Sequence, residues 1–182
     1  GPNGLAAAVE LARNGLAVRV LEARDVIGGG TRTAELTLPG FHHDVCSGCH
    51  PMGVLSPYLR SLPLEEHGLR WIHPPASVAH PLDGEPAVLL RRSIFDTARE
   101  LGEDARTYIK LFAPLLRDAH GLLADLLGPL RWPKHPLQMM RFGLPGLLPA
   151  STALRWGFRG DRARAVLAGC AAHSILPLER PL

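Results

Sequence analysis

The chain is 182 residues long, 46% hydrophobic and 20% charged, with a formal net charge of +3. That composition excludes intrinsic disorder, and the length allows one sizeable core, or one domain with part of a second. The charge is too mild for nucleic acid, no basic run is interleaved with aromatics, and no apolar stretch reaches the roughly 18–20 residues of a membrane span. Lys110 and Lys134 are the only lysines among 20 basic residues, a compositional bias rather than a functional signal. Three cysteines, one far from the others, make no disulfide framework, so a reducing, cytoplasmic setting is expected. The sequence starts at Gly rather than Met, which leaves targeting signals open.

The first residues, Gly1-Pro2-Asn3-Gly4, read as the second half of G-x-G-x-x-G. On that reading the first strand and first glycine are missing and the chain is a fragment. Gly1 lets backbone approach a pyrophosphate, and Gly4 lets a helix pack closely on a sheet. Residues 5–13 suit that helix, with Leu5, Val9 and Ala12 at helical spacing, and Asn14-Gly15 stops it. Ala17–Glu22 is expected as a strand ending in a carboxylate. Glu22 stands 21 residues after Gly1, the spacing at which an acid holds a ribose 2′-hydroxyl and repels a 2′-phosphate.

A second glycine cluster follows in Ala23-Arg24-Asp25-Val26-Ile27-Gly28-Gly29-Gly30-Thr31-Arg32-Thr33. Each glycine inside a helix or strand costs about 0.5–1 kcal/mol against Ala, so three in a row belong where backbone passes close to a ligand. A short strand is expected at Ala34–Leu38, and a short helix over 56–67, broken near Pro63 and ending at His67-Gly68. Further strands are expected at Leu69–Ile72, Val78–His80 and Ala87–Leu90, the last two joined by an Asp83-Gly84 turn. Beyond Ser93, a helix-capping residue, the pattern is helical: Asp96–Leu101, then Glu103–Leu127 kinked at Pro114, and Arg162–His173 capped by Asp161. The long helix carries its apolar stripe on Tyr108, Phe112, Leu115, Ala119, Leu122 and Leu126. Residues 129–149, dense in Pro, Gly, Leu and Met, resist assignment.

The two glycine motifs with the acid between them resemble the FAD-dependent amine oxidase and phytoene desaturase superfamily. Leu36-Thr37-Leu38-Pro39-Gly40-Phe41-His42-His43-Asp44 and His50-Pro51 are similar to its phytoene-dehydrogenase-like branch, which includes pyridine nucleotide-disulphide oxidoreductase domain 2 proteins. His67–Trp71 and Ala79–Gly84 fit the same branch. The resemblance implies an α/β chain in two parts. Residues 1–55 would be a Rossmann-like FAD-binding β-α-β segment lacking its first strand. Residues 56–182 would be part of a mixed, helix-rich substrate domain. It also implies that Gly1, Pro2, Asn3, Gly4, Gly28, Gly29, Gly30 and Thr31 flank the FAD phosphates, and that Glu22, with Ala23 and Arg24 beside it, holds the adenosine ribose. Arg32 departs from the superfamily, whose arginine directly follows Gly-Gly, a place taken here by Gly30.

The implied reaction passes hydride from an apolar or amine small molecule to the flavin N5; no catalytic acid or base is assigned. The alternatives are a fragment of an NAD-dependent dehydrogenase, and an inactive remnant or partner-binding module without cofactor. No segment matches the family's C-terminal flavin contacts, so the chain alone is expected to bind FAD weakly or not at all. Cys46-Ser47-Gly48-Cys49-His50 has the form of a c-type haem signature, but a zinc site needs four ligands and haem needs an axial partner. These cysteines are expected to be incidental in a flavin-proximal loop. Pro136–Ala150 is a candidate for peripheral membrane contact.

Overall fold

The computed structural model describes residues 1–181 and divides into two compact units, Gly1–Val54 and Leu55–Leu182. In the first unit, helix α1 (Pro2–Arg13) starts three residues earlier than the expected residue 5. Pro2 explains the early start, because its fixed φ suits the first helical turn and its missing N–H would have no partner there. Asn14 closes the helix with its side-chain amide on the Glu10 carbonyl at 2.8 Å, and Gly15 turns away at φ +80°.

The strand expected over Ala17–Glu22 does not form; these residues take up no regular structure and no ladder partner among the described residues. A strand exists only through its ladder, and no other segment among the described residues pairs with this one. The parallel sheet that a β-α-β unit implies is therefore absent among them. Strands β1 (Thr33–Glu35) and β2 (His42–Asp44) pair antiparallel in the register Thr33↔Asp44 and Glu35↔His42. The first is shorter than the expected Ala34–Leu38 because the segment turns at Pro39-Gly40, where Gly40 has φ +83°.

Helix α2 (Pro51–Leu55) spans the point in the sequence where the units divide, and α3 (Pro57–Arg60) is capped by Ser56, whose hydroxyl accepts from the Leu59 N–H. The helix expected over 56–67 stops at Arg60 and continues as turns, and Leu69–Ile72 is not a strand. Strands β3 (Ala76–Leu82) and β4 (Glu85–Arg91) form an antiparallel hairpin around Asp83-Gly84, with Gly84 at φ +73°.

Ser93 caps α4 (Ile94–Arg99) through the Asp96 N–H. The single helix expected from Glu103 to Leu127 is two, α5 (Ala105–Arg117) and α6 (Ala119–Leu126). Pro114 removes a donor and crowds the preceding turn. The break itself falls at Asp118, whose carboxylate caps α6 through the Gly121 N–H. The Pro114 carbonyl is taken up by the Gln138 amide at 2.9 Å.

Gln138 belongs to α7 (Pro136–Gly146), a helix in the segment that resisted assignment. Its start is pinned by Asp125, which accepts from the backbone N–H groups of Lys134 and His135. Helices α8 (Ala150–Gly157) and α9 (Asp161–Ala171) complete the unit; Gly160, not Asp161, holds the cap position of α9. The core gathers Val88 of β4, Ala98 of α4, Tyr108 of α5, and Ala163 and Val166 of α9, with Leu101 from the turn after α4 and Phe158 from the end of α8; the Tyr108 and Phe112 rings are 4.7 Å apart.

Thr97 and Asp104 are polar residues built into this interior. Asp104 is 2% exposed and accepts from the Arg159 and Gly160 N–H groups at 2.7–3.1 Å. A residue at the entry to α5 thereby satisfies donors that the start of α9 would otherwise leave unpaired. No helix among the described residues is long and apolar enough to cross a membrane.

Candidate functional site

In the first unit the two glycine clusters meet. Gly28 (φ +112°) and Gly29 (φ +58°) adopt the left-handed region that side chains disfavour, and they lead into a single 3-10 turn, Gly29–Thr31. A β-carbon on Gly29 would stand 2.8 Å from the Gly1 Cα. The backbones thus touch at a separation that only glycine permits. Gly1 sits at the N-cap of α1, whose first N–H groups have no intrahelical acceptor and carry the positive end of the helix dipole. An anion has a ready seat at such a terminus.

The second cluster is held in shape locally. The Thr31 hydroxyl donates to the Gly28 carbonyl at 2.8 Å, and the Arg32 guanidinium donates to the Gly29 carbonyl at 3.1 Å. Backbone bonds from Ser47 N–H to Gly30 O and from Val45 N–H to Arg32 O tie the loop to the segment after β2. Arg32 is therefore engaged with its own loop rather than extended into solvent.

A cavity of about 300 Å³ is bounded by Gly1 and Gly4, one face of α1, residues Val18–Glu22, and Ile27-Gly28. It brings Gly1, Gly4, Glu22 and Gly28 together around one space. Pro2, Asn3, Ala23, Arg24, Gly29, Gly30, Thr31 and Arg32 lie in the flanking segments and do not line it. Glu22 is exposed, and one of its carboxylate oxygens accepts from the Arg24 N–H at 3.1 Å. The volume stands at the lower end of the range for ligand pockets and suits part of a dinucleotide. Gly4 is not crowded: a β-carbon there would meet nothing within 4 Å. The close helix–sheet contact expected of it needs a sheet that these residues do not form.

Past the glycine loop, Cys46 and Cys49 are free and exposed. The His50 ring lies 3.4 Å from the Ser47 hydroxyl, while the Asp44 carboxylate accepts from Thr33. Among the described residues no group of three or more His, Cys, Asp or Glu side chains is placed to hold a metal ion.

Two features of the second unit escaped sequence reasoning. Asp125, Asp118 and His135 form a cluster, with His135 Nδ1 3.1 Å from Asp125 and Nε2 3.8 Å from Asp118. Burial alone would raise the Asp125 carboxyl, but the two backbone N–H groups and His135 hold it below its usual range. A large apolar cavity also opens between α5, α8 and α9. Neither has a signal in local sequence, since both depend on segments that meet only in the fold.

Residues 1–62 match the family model described as an NAD(P)-binding Rossmann-like domain, 62 of the 182 residues. No curated protein and no solved structure matches the chain. The match supports a dinucleotide-binding, Rossmann-like segment at the start of a mixed helix–strand chain, and such a domain suggests an oxidoreductase.

Proposed function

We propose that this chain is part of an FAD-dependent oxidoreductase of the phytoene dehydrogenase and amine oxidase type, acting on an apolar or amine substrate. The observation that carries the reading is the approach of Gly29 to Gly1, which joins two glycine clusters around one helix N-terminus. A dinucleotide-binding domain of the matched kind is also found in amine oxidases. Bound flavin would supply the two-electron chemistry, taking up hydride from the substrate.

The chain's own residues position the cofactor. Asn3 and Gly4 offer helix N–H groups to a pyrophosphate at the turn that Gly1 and Pro2 open, and Gly28, Gly29, Gly30 and Thr31 close over it from the other side. Glu22, with Ala23 and Arg24 next to it, would bind the ribose hydroxyls by exchanging the Arg24 N–H for a sugar donor. Arg32 holds the loop through the Gly29 carbonyl and so acts on position rather than on phosphate.

A second reading has its own support: the matched family is described by NAD(P), which fits an NAD-dependent dehydrogenase segment equally. Titrating the chain with FAD and NAD⁺ separates the two. The expected outcome is weak, saturable FAD binding that NAD⁺ does not displace and that Glu22→Gln weakens. Preference for NAD⁺ would sink the flavin reading. Tight stoichiometric FAD would instead overturn the expectation that the chain binds it weakly.

A further inference from the structure

The second unit contains a cavity of about 720 Å³ that the dinucleotide reading does not use. That is within the range of small-molecule sites. Its walls are almost wholly apolar, built from Leu111 and Phe112 of α5, Leu154 and Trp156 of α8, and Leu167 of α9. The remaining wall is the tail after α9, fixed to α8 by the Ser151 N–H on the Leu178 carbonyl at 2.9 Å. Two charged side chains lie among the lining residues, Lys110 and Arg180, both exposed. No Asp or Glu lines the space, and Glu179, the sequence neighbour of Arg180, is not part of the lining. Among the described residues neither cation has an ion-pair partner within the chain.

We infer that this cavity binds a single-chain anionic amphiphile, a long-chain carboxylate, with its tail against Leu154, Leu167 and Phe112 and its head at Lys110 and Arg180. Apolar walls stabilise the chain by removing it from water. Two cations with no compensating acid favour a negative head and disfavour a cationic amine. The cavity lies wholly in residues 107–180, so the inference stands apart from the flavin reading.

Displacement of cis-parinaric acid, a fluorescent long-chain carboxylate, tests it on the full 182-residue chain without any dinucleotide. One saturable site is expected, from which palmitate displaces the probe while hexadecanol and hexadecylamine do so about tenfold less well or worse. The double change Lys110→Glu with Arg180→Glu is expected to weaken palmitate by about tenfold or more, with the unfolding midpoint retained because both side chains are exposed. Ala153→Trp should block the cavity. Should that variant fail to fold, the charge reversals still decide. Equal displacement by acid, alcohol and amine would overturn the proposal. So would indifference to the charge reversals, or association only with anionic vesicles and not with monomeric palmitate.

Discussion

Gly29 approaches Gly1 so closely that a β-carbon on the one would stand 2.8 Å from the Cα of the other. Gly15 is the natural control. It too has a positive φ, +80°, but open space where a side chain would go. Gly15→Ala should cost only backbone strain, about 1 kcal/mol. Gly29→Ala adds a backbone clash to the strain and should cost about 2–3 kcal/mol. It should also abolish dinucleotide binding. Denaturant unfolding of both variants reads the difference, and equal costs would show that the contact does not constrain the loop.

Asp104 carries a second prediction. Asp104→Ala removes the acceptor of the Arg159 and Gly160 N–H groups in a part-buried place, at about 1–3 kcal/mol. Asp104→Asn keeps the shape and one acceptor oxygen, so it should fall between wild type and Ala. Urea midpoints for the three proteins check the order.

The pH dependence of stability has an assignable acidic limb. Burial alone would raise the Glu100 carboxyl, but the Leu89 N–H, the Arg91 guanidinium and the charge of Arg162 hold it below its usual 4.5. A depressed folded value means stabilisation that is fully present above pH 4.5 and lost as pH falls through the folded value. In Glu100→Gln the decline below pH 4.5 should be shallower. Thermal melts between neutral pH and pH 3 compare the two slopes; parallel curves would remove Glu100 from the acidic limb.

The alkaline limb belongs to Tyr108. Burial pushes its phenol above the usual 10.0, only partly countered by the bond to Thr97. The neutral form is thus favoured in the folded chain, and its stabilisation is lost as pH rises through the raised value. Tyr108→Phe removes the titrating phenol, so its stability should fall off less steeply in alkali. A difference in slope between the two curves above pH 10 is the expected observation.

The sequence announces what is encoded by neighbours. Gly1-Pro2-Asn3-Gly4, Gly28–Gly30 and the Asp83-Gly84 turn are legible because glycine and proline act on their own φ. Ser93 and its helix are legible because the hydroxyl caps a donor only three residues further on. The strand at Ala17–Glu22 was misread because its pattern specifies only half of a ladder. Helix α7 was missed because its start depends on Asp125, nine and ten residues away, while proline-rich composition argues against a helix. At the candidate site, spacing alone brings Glu22 near the glycines. The contact of Gly29 with Gly1 adds a geometric reason that spacing could not supply.

Residues 17–22 leave one matter of assembly. Val18, Val20 and Leu21 are exposed, and no backbone hydrogen bond joins this segment to another among the described residues. Such an edge is a template for strand addition, because a second copy laid beside it would satisfy both sets of peptide groups at once. The chain therefore holds a concentration-dependent liability in six residues. A lysine at Val20, or a proline at Val18, would blunt that edge at positions that also line the cavity shared with Gly1, Gly4 and Gly28.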